Sequence, residues 1–402
     1  MQQLTYGKSF EAALYIHIPF CRHMCLYCDF AKTARWQSTE VNSYFTGLRQ
    51  QYGLWKNYFQ QLGVKPLWKT VNFGGGTPSL FIDHLCQFLA FVGPDCQADA
   101  EISLEANPLD ITEPHTTQAL RQSGFNRISI GVQSFDPQGL KTLTRDHSPT
   151  TSHQAITHAL QSFPHVGIDL IYCWPQQSLL QWEQDLQTAL SYPLQHLSCY
   201  NMTYAEGTPF GRMVRRGALT PHVPDREAEY YNLARKYLQG NNWQQEEVSN
   251  WSQEGYACKH NLCYWQMEPY LGLGTGAHGF LTNIASLPQE GIRYAYHSRI
   301  HKFCTHQHLP PQTNPSLIWD RRERSHWMLE YLGSGLRTAQ GICFEKVTAM
   351  GFTFKPTPFL EQARTRGDIH WNSKYLQLKP QEWFRETSWA VECSRAFQDS
   401  SE

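Results

Sequence analysis

The sequence predicts an α/β fold, an incomplete (β/α)6 barrel followed by a smaller C-terminal α+β domain. Short apolar runs alternate with longer amphipathic segments from about residue 13 to residue 200. This alternation is typical of a parallel sheet with right-handed helical crossovers. The 402 residues are enough for two or three domains. The predicted strands are 13–18, 69–73, 101–105, 127–132, 166–171 and 197–200. The predicted helices are 40–61, 80–92, 112–123, 136–143, 152–163 and 178–191.

The composition limits the kind of partner that the protein can have. Lys and Arg number 34 against 35 Asp and Glu, which gives a net charge of −1. We therefore expect no nucleic acid partner, because phosphate binding requires a basic face. No apolar run approaches the roughly 18 residues of a membrane span, and residues 1–8 lack the apolar core of a signal peptide. We expect a cytoplasmic protein, while peripheral contact with a membrane surface stays open.

Three cysteines are grouped directly after the first predicted strand. Cys21, Cys25 and Cys28 form a Cys-x3-Cys-x2-Cys pattern, whereas most of the other nine of the twelve cysteines are isolated. In a reducing compartment, grouped cysteines indicate a metal site or catalysis. Three thiolates suit zinc or an iron–sulfur cluster. A local fourth ligand is missing, since position 30 is Phe. Zinc completed by a distant ligand and a cluster with one open iron both remain candidates.

The ends of the next strands carry glycine or polar residues. Parallel barrels place their chemistry at the carboxyl ends of the strands. Gly74–Ser79 follows the second strand, and glycines let backbone groups approach a ligand closely. Carboxylates and amides at the later strand ends can bind hydroxyl or amino groups, and a guanidinium suits a carboxylate. Each could instead be an ordinary turn or surface residue. The polar candidates are Glu105, Gln133, Arg145 and Asp169.

The cysteine spacing resembles that of the radical S-adenosylmethionine (SAM) superfamily. The resemblance implies a [4Fe-4S] cluster on Cys21, Cys25 and Cys28, with SAM chelating the iron that has no protein ligand. It also implies a radical SAM barrel as the fold, and it places the amino group of SAM at the glycine-rich segment. The expected SAM site is Tyr15, Tyr27, Gly75, Gly76, Thr77, Glu105, Gln133, Arg145 and Asp169.

Longer segments resemble the oxygen-independent coproporphyrinogen III dehydrogenase group and its haem-chaperone relatives. The likeness extends over most of residues 10–345, through the stretches 15–21, 73–79, 130–135 and 169–171. The dehydrogenases typically carry a fourth cysteine at the position of Phe30 and a longer N-terminal extension. His260-Asn-Leu-Cys-Tyr-Trp265 instead matches the His-Asn-x-x-Tyr-Trp pattern of the haem chaperones. The resemblance therefore favours the chaperone branch.

This resemblance implies a haem-binding protein that delivers haem to client haemoproteins, and a homodimer when the cluster is loaded. His260 can ligate haem iron, and Tyr264 and Trp265 offer flat rings to a porphyrin. His260 could equally be a hydrogen-bonded residue of an aromatic strand. The alternatives are oxidative decarboxylation of coproporphyrinogen III and radical chemistry on another substrate. The organic chemistry would then belong to the cofactor.

The expected domain organisation has three parts. Residues 10–245 form the barrel with the cluster and SAM, and residues 246–300 form a capping segment with the His-Asn-x-x-Tyr-Trp motif. Residues 315–402 form a winged-helix-like C-terminal domain. The pattern further predicts a close-packed loop at 270–278, a connector at about 298–325 and an amphipathic helix at 319–332.

Overall fold

The computed structural model describes residues 9–282, 284, 287, 291–306, 309–320 and 323–399. Six parallel strands alternate with helices through its first half, as the sequence predicts. The strands are β1 Ser9–Ile18, β2 Lys65–Gly75, β3 Cys96–Ala106, β4 Arg127–Gln133, β5 His165–Tyr172 and β6 His196–Asn201. The helices are α1 Ser38–Gln61, α2 Ile82–Val92, α3 Pro114–Gln122, α4 Pro137–Thr142, α5 Pro149–Ser162 and α6 Leu179–Leu190. Short 3₁₀ segments occupy Pro78–Phe81, Gly93–Asp95, Pro108–Ile111 and Pro380–Arg385.

The parallel register brings the carboxyl ends of the strands to one edge. Ile18 of β1 pairs with Gly75 of β2, so the cysteine loop and the glycine-rich segment leave the sheet side by side. Glu105 of β3 pairs with Ser129 of β4, and β5 and β6 continue the same parallel order. The predicted candidate residues therefore emerge from neighbouring strands at the same end.

The sheet extends beyond the six barrel strands. Among the described residues, twelve strands form one sheet in the order β12-β11-β10-β9-β1-β2-β3-β4-β5-β6-β8-β7. The additional strands are β7 Gln244–Gln245, β8 Asn250–Ser252, β9 Tyr270–Leu273, β10 His278–Leu281, β11 Ile292–Tyr296 and β12 Leu317–Asp320. The accompanying helices are α7 Pro209–Arg215, α8 Pro224–Gly240, α9 Lys259–Trp265 and α10 Ile300–His306.

Three local predictions in this region are wrong. Tyr270–Leu273 lies parallel to β1 as a strand and is not part of a loop. A Cβ at Gly272 would meet the carbonyl oxygen of His278 at 1.8 Å, so glycine is required for this close strand contact. The expected connector contains α10 and β12. Trp319 belongs to β12, and the helix expected to begin there begins at Arg324.

The C-terminal region is a small α+β unit, as the sequence predicts. Its antiparallel sheet has the order β13-β16-β15 in the described residues, and a separate pair joins β14 to β17. The strands are β13 Ile342–Cys343, β14 Phe352–Phe354, β15 Ile369–Trp371, β16 Tyr375–Leu378 and β17 Phe397–Asp399. The helices are α11 Arg324–Gly335, α12 Phe344–Ala349, α13 Pro358–Arg366 and α14 Glu386–Ser394.

Aromatic side chains form much of the core that fixes these elements. The indole of Trp55 in α1 stacks on Tyr294 of β11 with ring centroids 4.9 Å apart. Its Nε1 donates to the hydroxyl of Tyr296 at 2.9 Å, which satisfies a polar group that burial would otherwise leave unpaired. α1 therefore joins the antiparallel extension to the barrel. Of the described helices, none combines the length and apolar character needed to cross a bilayer.

Candidate functional site

A cavity of about 850 Å³ opens at the carboxyl ends of β1–β6. It brings together most of the residues that the sequence singles out, from five separate strand ends. Tyr15 and His260 lie outside its lining. The predicted residues that line it are Cys21, Cys25, Tyr27, Cys28, Gly75, Gly76, Thr77, Glu105, Gln133, Arg145 and Asp169.

The cysteine loop is held by hydrogen bonds to its backbone rather than by regular secondary structure. The backbone N–H of Cys21 donates to the carbonyl of Thr33 at 2.9 Å. Trp36 Nε1 donates to the carbonyl of Cys21 at 2.8 Å, and Lys32 Nζ donates to that of Cys28 at 2.6 Å. These bonds use backbone groups at both ends of the motif and involve none of its thiols, and all three cysteines line the cavity.

The thiols stand close enough to influence one another's ionisation. Burial raises the pKa of the Cys21 thiol to about 11, and the nearby Cys25 and Cys28 thiols act in the same direction, while a hydrogen bond with Thr77 opposes them. A thiolate here therefore needs a positive partner such as iron. Within the described ranges, no three His, Cys, Asp or Glu side chains are near enough to hold a single metal ion. A closed zinc site of four protein ligands thus has no counterpart in this part of the chain.

Two glycines pack closely against the residues that lead into the cysteine loop. A Cβ at Gly76 would lie 2.7 Å from the carbonyl oxygen of Phe20 and 2.8 Å from that of Ile18. Gly75 has a positive φ of 109°, and a Cβ there would lie 2.5 Å from the ring of His17. Any other residue would push this segment away from the cysteine loop. The two glycines therefore let this segment, here called the glycine cradle, pack directly against the residues that lead into the cysteine loop, in the wall of the cavity.

Two carboxylates face each other across the cavity wall. Glu105 accepts a hydrogen bond from the backbone N–H of Gly75 at 3.2 Å. Burial, reinforced by the charge of Asp169, raises the pKa of Glu105 to about 7. Burial also raises the pKa of Asp169, although Ser129 donates to its Oδ1 at 3.0 Å. Buried carboxyl groups with raised pKa values at a cavity are typical of binding and catalytic sites.

Arg145 and Gln133 present unpaired polar atoms to the same cavity. Arg145 donates through Nη1 to Cys25 Sγ at 3.4 Å and through Nη2 to the carbonyl of Gly131 at 3.1 Å. Its Nε and the Oε1 of Gln133 are buried and have no partner among the described residues. Gln133 also has a positive φ of 68°. Because buried polar groups are normally hydrogen-bonded, these atoms fit a polar ligand. With the free thiols and the glycine cradle, they match the donor set that a cluster and SAM require.

His260 occupies a different environment from the one that the sequence suggests. It lies in helix α9 rather than in a strand, and it is only 1% exposed. Its Nδ1 is hydrogen-bonded to Thr70 Oγ1 at 2.7 Å, and its Nε2 to the hydroxyl of Tyr264 at 2.7 Å. Burial lowers its pKa to about 3. Direct ligation of iron by His260 would require one of these hydrogen bonds to break.

Tyr15 faces a second, shallower groove on the other side of the glycine segment. Its hydroxyl is hydrogen-bonded to His17 Nδ1 at 3.0 Å. A Cβ at Gly74 would meet its ring at 3.0 Å, so Tyr15 supports the glycine segment from behind. Tyr27, by contrast, lines the cavity with the cysteines, and burial raises its pKa.

The cavity also contains residues that sequence reasoning does not identify. The segment Phe384–Ser388, at the start of α14 in the C-terminal unit, lines the cavity together with the cysteine loop. Glu227 and Tyr231 of α8 line it as well, and Glu227 accepts a hydrogen bond from Asn201 Nδ2 at 3.0 Å. None of these positions stands in a recognisable motif. The contact between the chain's beginning and its end carries no local sequence signal.

Comparison with known proteins gives consistent results. The model of the radical SAM superfamily matches residues 15–189. The chain is 31% identical over 336 residues to heme chaperone HemW of Lactococcus lactis, covering 83% of each chain. It is 31% identical over 368 residues to heme chaperone HemW of Synechocystis, covering 90% of this chain and 86% of the other. The Escherichia coli heme chaperone HemW is 37% identical over 279 residues, covering 67% and 70%.

Among solved structures, coproporphyrinogen III oxidase (HemN) from Escherichia coli, described as a radical SAM enzyme, superposes with a TM-score of 0.74. The match covers 96% of this chain and 90% of the other, at 18% sequence identity. At that identity the likeness shows a shared fold. It extends through the sheet and the C-terminal unit, because nearly the whole chain is covered.

Proposed function

This chain belongs to the radical SAM superfamily, and from that membership we propose that it binds a [4Fe-4S] cluster, SAM and haem, and delivers haem to client haemoproteins. The observation that carries the proposal is the cavity in which three free thiols, the glycine cradle and unpaired polar atoms meet. Relatives named heme chaperone HemW, 31–37% identical to it, support the haem part.

In this proposal Cys21, Cys25 and Cys28 hold three irons of the cluster and leave the fourth for SAM. The bound cluster supplies the electron that reductive cleavage of SAM requires. The chain contributes a loop in which Cys21 is buried and Cys25 and Cys28 are half-buried, and Arg145 donates a hydrogen bond to Cys25. Hydrogen bonds to ligating sulfur tune the reduction potential of such clusters.

The same cavity offers partners to each polar part of SAM. Gly75, Gly76 and Thr77 present backbone groups to the amino end, and Arg145 has a free Nε for the carboxylate. Glu105, Gln133 and Asp169 can accept hydrogen bonds from ribose or amino groups. Tyr27 closes the side next to the cysteines, and Tyr15 supports the glycine segment from behind. The proposed SAM site thus comprises Tyr15, Tyr27, Gly75, Gly76, Thr77, Glu105, Gln133, Arg145 and Asp169.

Haem titration of the reconstituted protein tests the chaperone function. We expect protein reconstituted anaerobically with iron and sulfide to develop a Soret band with haem. We also expect it to transfer that haem to an apo-haemoprotein, and to elute as a dimer only when the cluster is present. Parallel incubation with coproporphyrinogen III, SAM and a reductant is the decisive control. Formation of protoporphyrinogen without stable haem binding would replace the proposal with the dehydrogenase activity.

The cysteine loop itself favours the chaperone over the dehydrogenase. Phe30 stands where the dehydrogenases typically have another cysteine, and its side chain is 57% exposed at the mouth of the site. An exposed phenyl ring suits contact with a large apolar ligand. Unlike a cysteine at this position, Phe30 provides no thiolate ligand.

A further inference from the structure

We propose that His278 would ligate haem iron in a groove next to the cluster cavity, and that His260 positions Tyr264 in the wall of that groove. The inference rests on the proposed haem binding and assigns it a place. Both ring nitrogens of His260 are already hydrogen-bonded in a buried site, so His260 could ligate iron only if one of these bonds broke.

The groove has the size and lining that a porphyrin requires. Its volume is about 1060 Å³, at the upper end of the roughly 300–1,000 Å³ found for small-molecule pockets. It lies between the carboxyl end of β1, helix α9 and the strands β9–β11. The aromatic side chains that line it are Tyr15, Tyr264, Trp265, Tyr270 and Tyr296. Flat rings of this kind suit the faces of a macrocycle.

Three imidazoles reach this groove, and their hydrogen bonds distinguish them. His17 is buried and has both nitrogens occupied, by Ala31 O at 2.7 Å and by the hydroxyl of Tyr15 at 3.0 Å. His297 uses Nδ1 to accept the backbone N–H of Arg299 at 3.2 Å. The imidazole of His278, the exposed first residue of β10, has no hydrogen bond to any described residue. Its ring is therefore the one with both nitrogens available to iron.

The backbone fixes the position from which His278 projects. Its carbonyl oxygen approaches Gly272 so closely that a Cβ there would overlap it. β10 also pairs with β11, where His278 stands opposite Ala295. A ligand carried on a paired strand is held more rigidly than one on a free loop.

Tyr264 connects His260 to the groove. Besides the hydrogen bond between them, the rings of His260 and Tyr264 lie perpendicular at 5.0 Å. Tyr264 in turn packs edge-on against Tyr270 at 4.7 Å. Glu101 accepts the backbone N–H of His260 at 2.9 Å and fixes the start of α9. The His-Asn-x-x-Tyr-Trp segment thus presents Tyr264 and Trp265 to the groove while His260 stays behind them.

The groove shares a wall with the cluster cavity. Asp29, Phe30, Lys32, Gly75 and Glu105 line both spaces. Lys32 offers a cation that suits a propionate, and the exposed ring of Phe30 offers an apolar edge. Haem in this groove would therefore be separated from the cluster only by the cysteine loop and the glycine segment.

Haem titrations of matched histidine variants test this assignment. We expect His278→Ala to lose the Soret position and the low-spin electron paramagnetic resonance signal of histidine ligation, and added imidazole to restore them. His278→Met should give a thioether-ligated spectrum instead, since methionine also ligates haem iron. His260→Ala should keep the histidine-ligated spectrum but bind haem about tenfold more weakly, as expected for a positioning residue. His115→Ala, an exposed substitution on α3, is the control and should match the wild type.

The results separate failure of this inference from failure of the proposed function. If wild-type protein binds haem and His278→Ala keeps its spectrum, His278 is not the ligand although haem binding stands. Loss of histidine ligation in folded His260→Ala, with His278→Ala unchanged, would assign the iron to His260. If wild-type protein does not bind haem, both the inference and the chaperone function are refuted. Circular dichroism of each variant establishes that it is folded.

Discussion

The close packing at Gly76 predicts that adding one methyl group there destabilises the fold and weakens cluster retention. In Gly76→Ala the new Cβ would lie 2.7 Å from Phe20 O and 2.8 Å from Ile18 O, both backbone atoms. Each contact must lengthen by roughly 0.7 Å to become ordinary. The same two carbonyls accept the backbone N–H groups of Thr77 at 2.8 Å and of Gly76 at 2.7 Å. Weakening two hydrogen bonds of ~1 kcal/mol each and overpacking the turn should cost about 2–4 kcal/mol.

Urea denaturation of the metal-free variants measures this loss, and iron content after anaerobic reconstitution measures its effect on the site. We expect Gly76→Ala to retain less iron, because Phe20 O directly precedes Cys21. Gly53→Ala is the matched control, since Gly53 lies inside α1 with nothing within 4 Å of an added Cβ. It should be more stable than the wild type by ~0.5–1 kcal/mol. A Gly76→Ala protein with wild-type stability and iron content would show that close packing at Gly76 is not required for the fold or for the cluster site.

Three further substitutions test other parts of the molecule. Cys21→Ser should abolish the visible iron–sulfur absorption after reconstitution, whereas Cys86→Ser on α2 should keep it. Burial raises the pKa of Asp185 to about 7, so only the unfolded chain loses this proton between about pH 4 and pH 7. Stability should then fall as pH rises through that range, by at most ~4 kcal/mol for this group, and Asp185→Asn should flatten the urea-measured slope. Glu101→Gln breaks a buried ion pair with Arg127 at 2.9 Å and should destabilise the fold by ~3–5 kcal/mol, whereas Glu113→Gln on the surface should not.

The six barrel strands could be predicted because their periodicity is local. Each is a short apolar run followed by an amphipathic segment, and the structure extends each prediction by only a few residues at its ends. The positions of Gly76, Glu105 and Asp169 followed from the same logic, since strand ends in a parallel sheet converge on one edge.

The remaining features depend on contacts between distant residues. The stretch 270–278 contains three glycines, which weaken strand propensity, and its first four residues become β9 because Gly272 allows close approach to β10. Aromatic 259–265 favours a strand by composition, but Glu101 from β3 caps its first turn and makes it helical. One of the two hydrogen bonds that occupy His260 likewise comes from outside its motif, from Thr70 of β2. No spacing in the sequence reveals such pairings.

The C-terminal wall of the cavity has a consequence for how the protein matures. Phe384–Ser388 follow Cys21 and Cys28 far along the chain, so this wall is translated after the cysteine loop. A nascent chain with a complete sheet would still expose its thiols to solvent and oxidants on that side. A cavity with this wall therefore forms only after residues 384–388 have been translated.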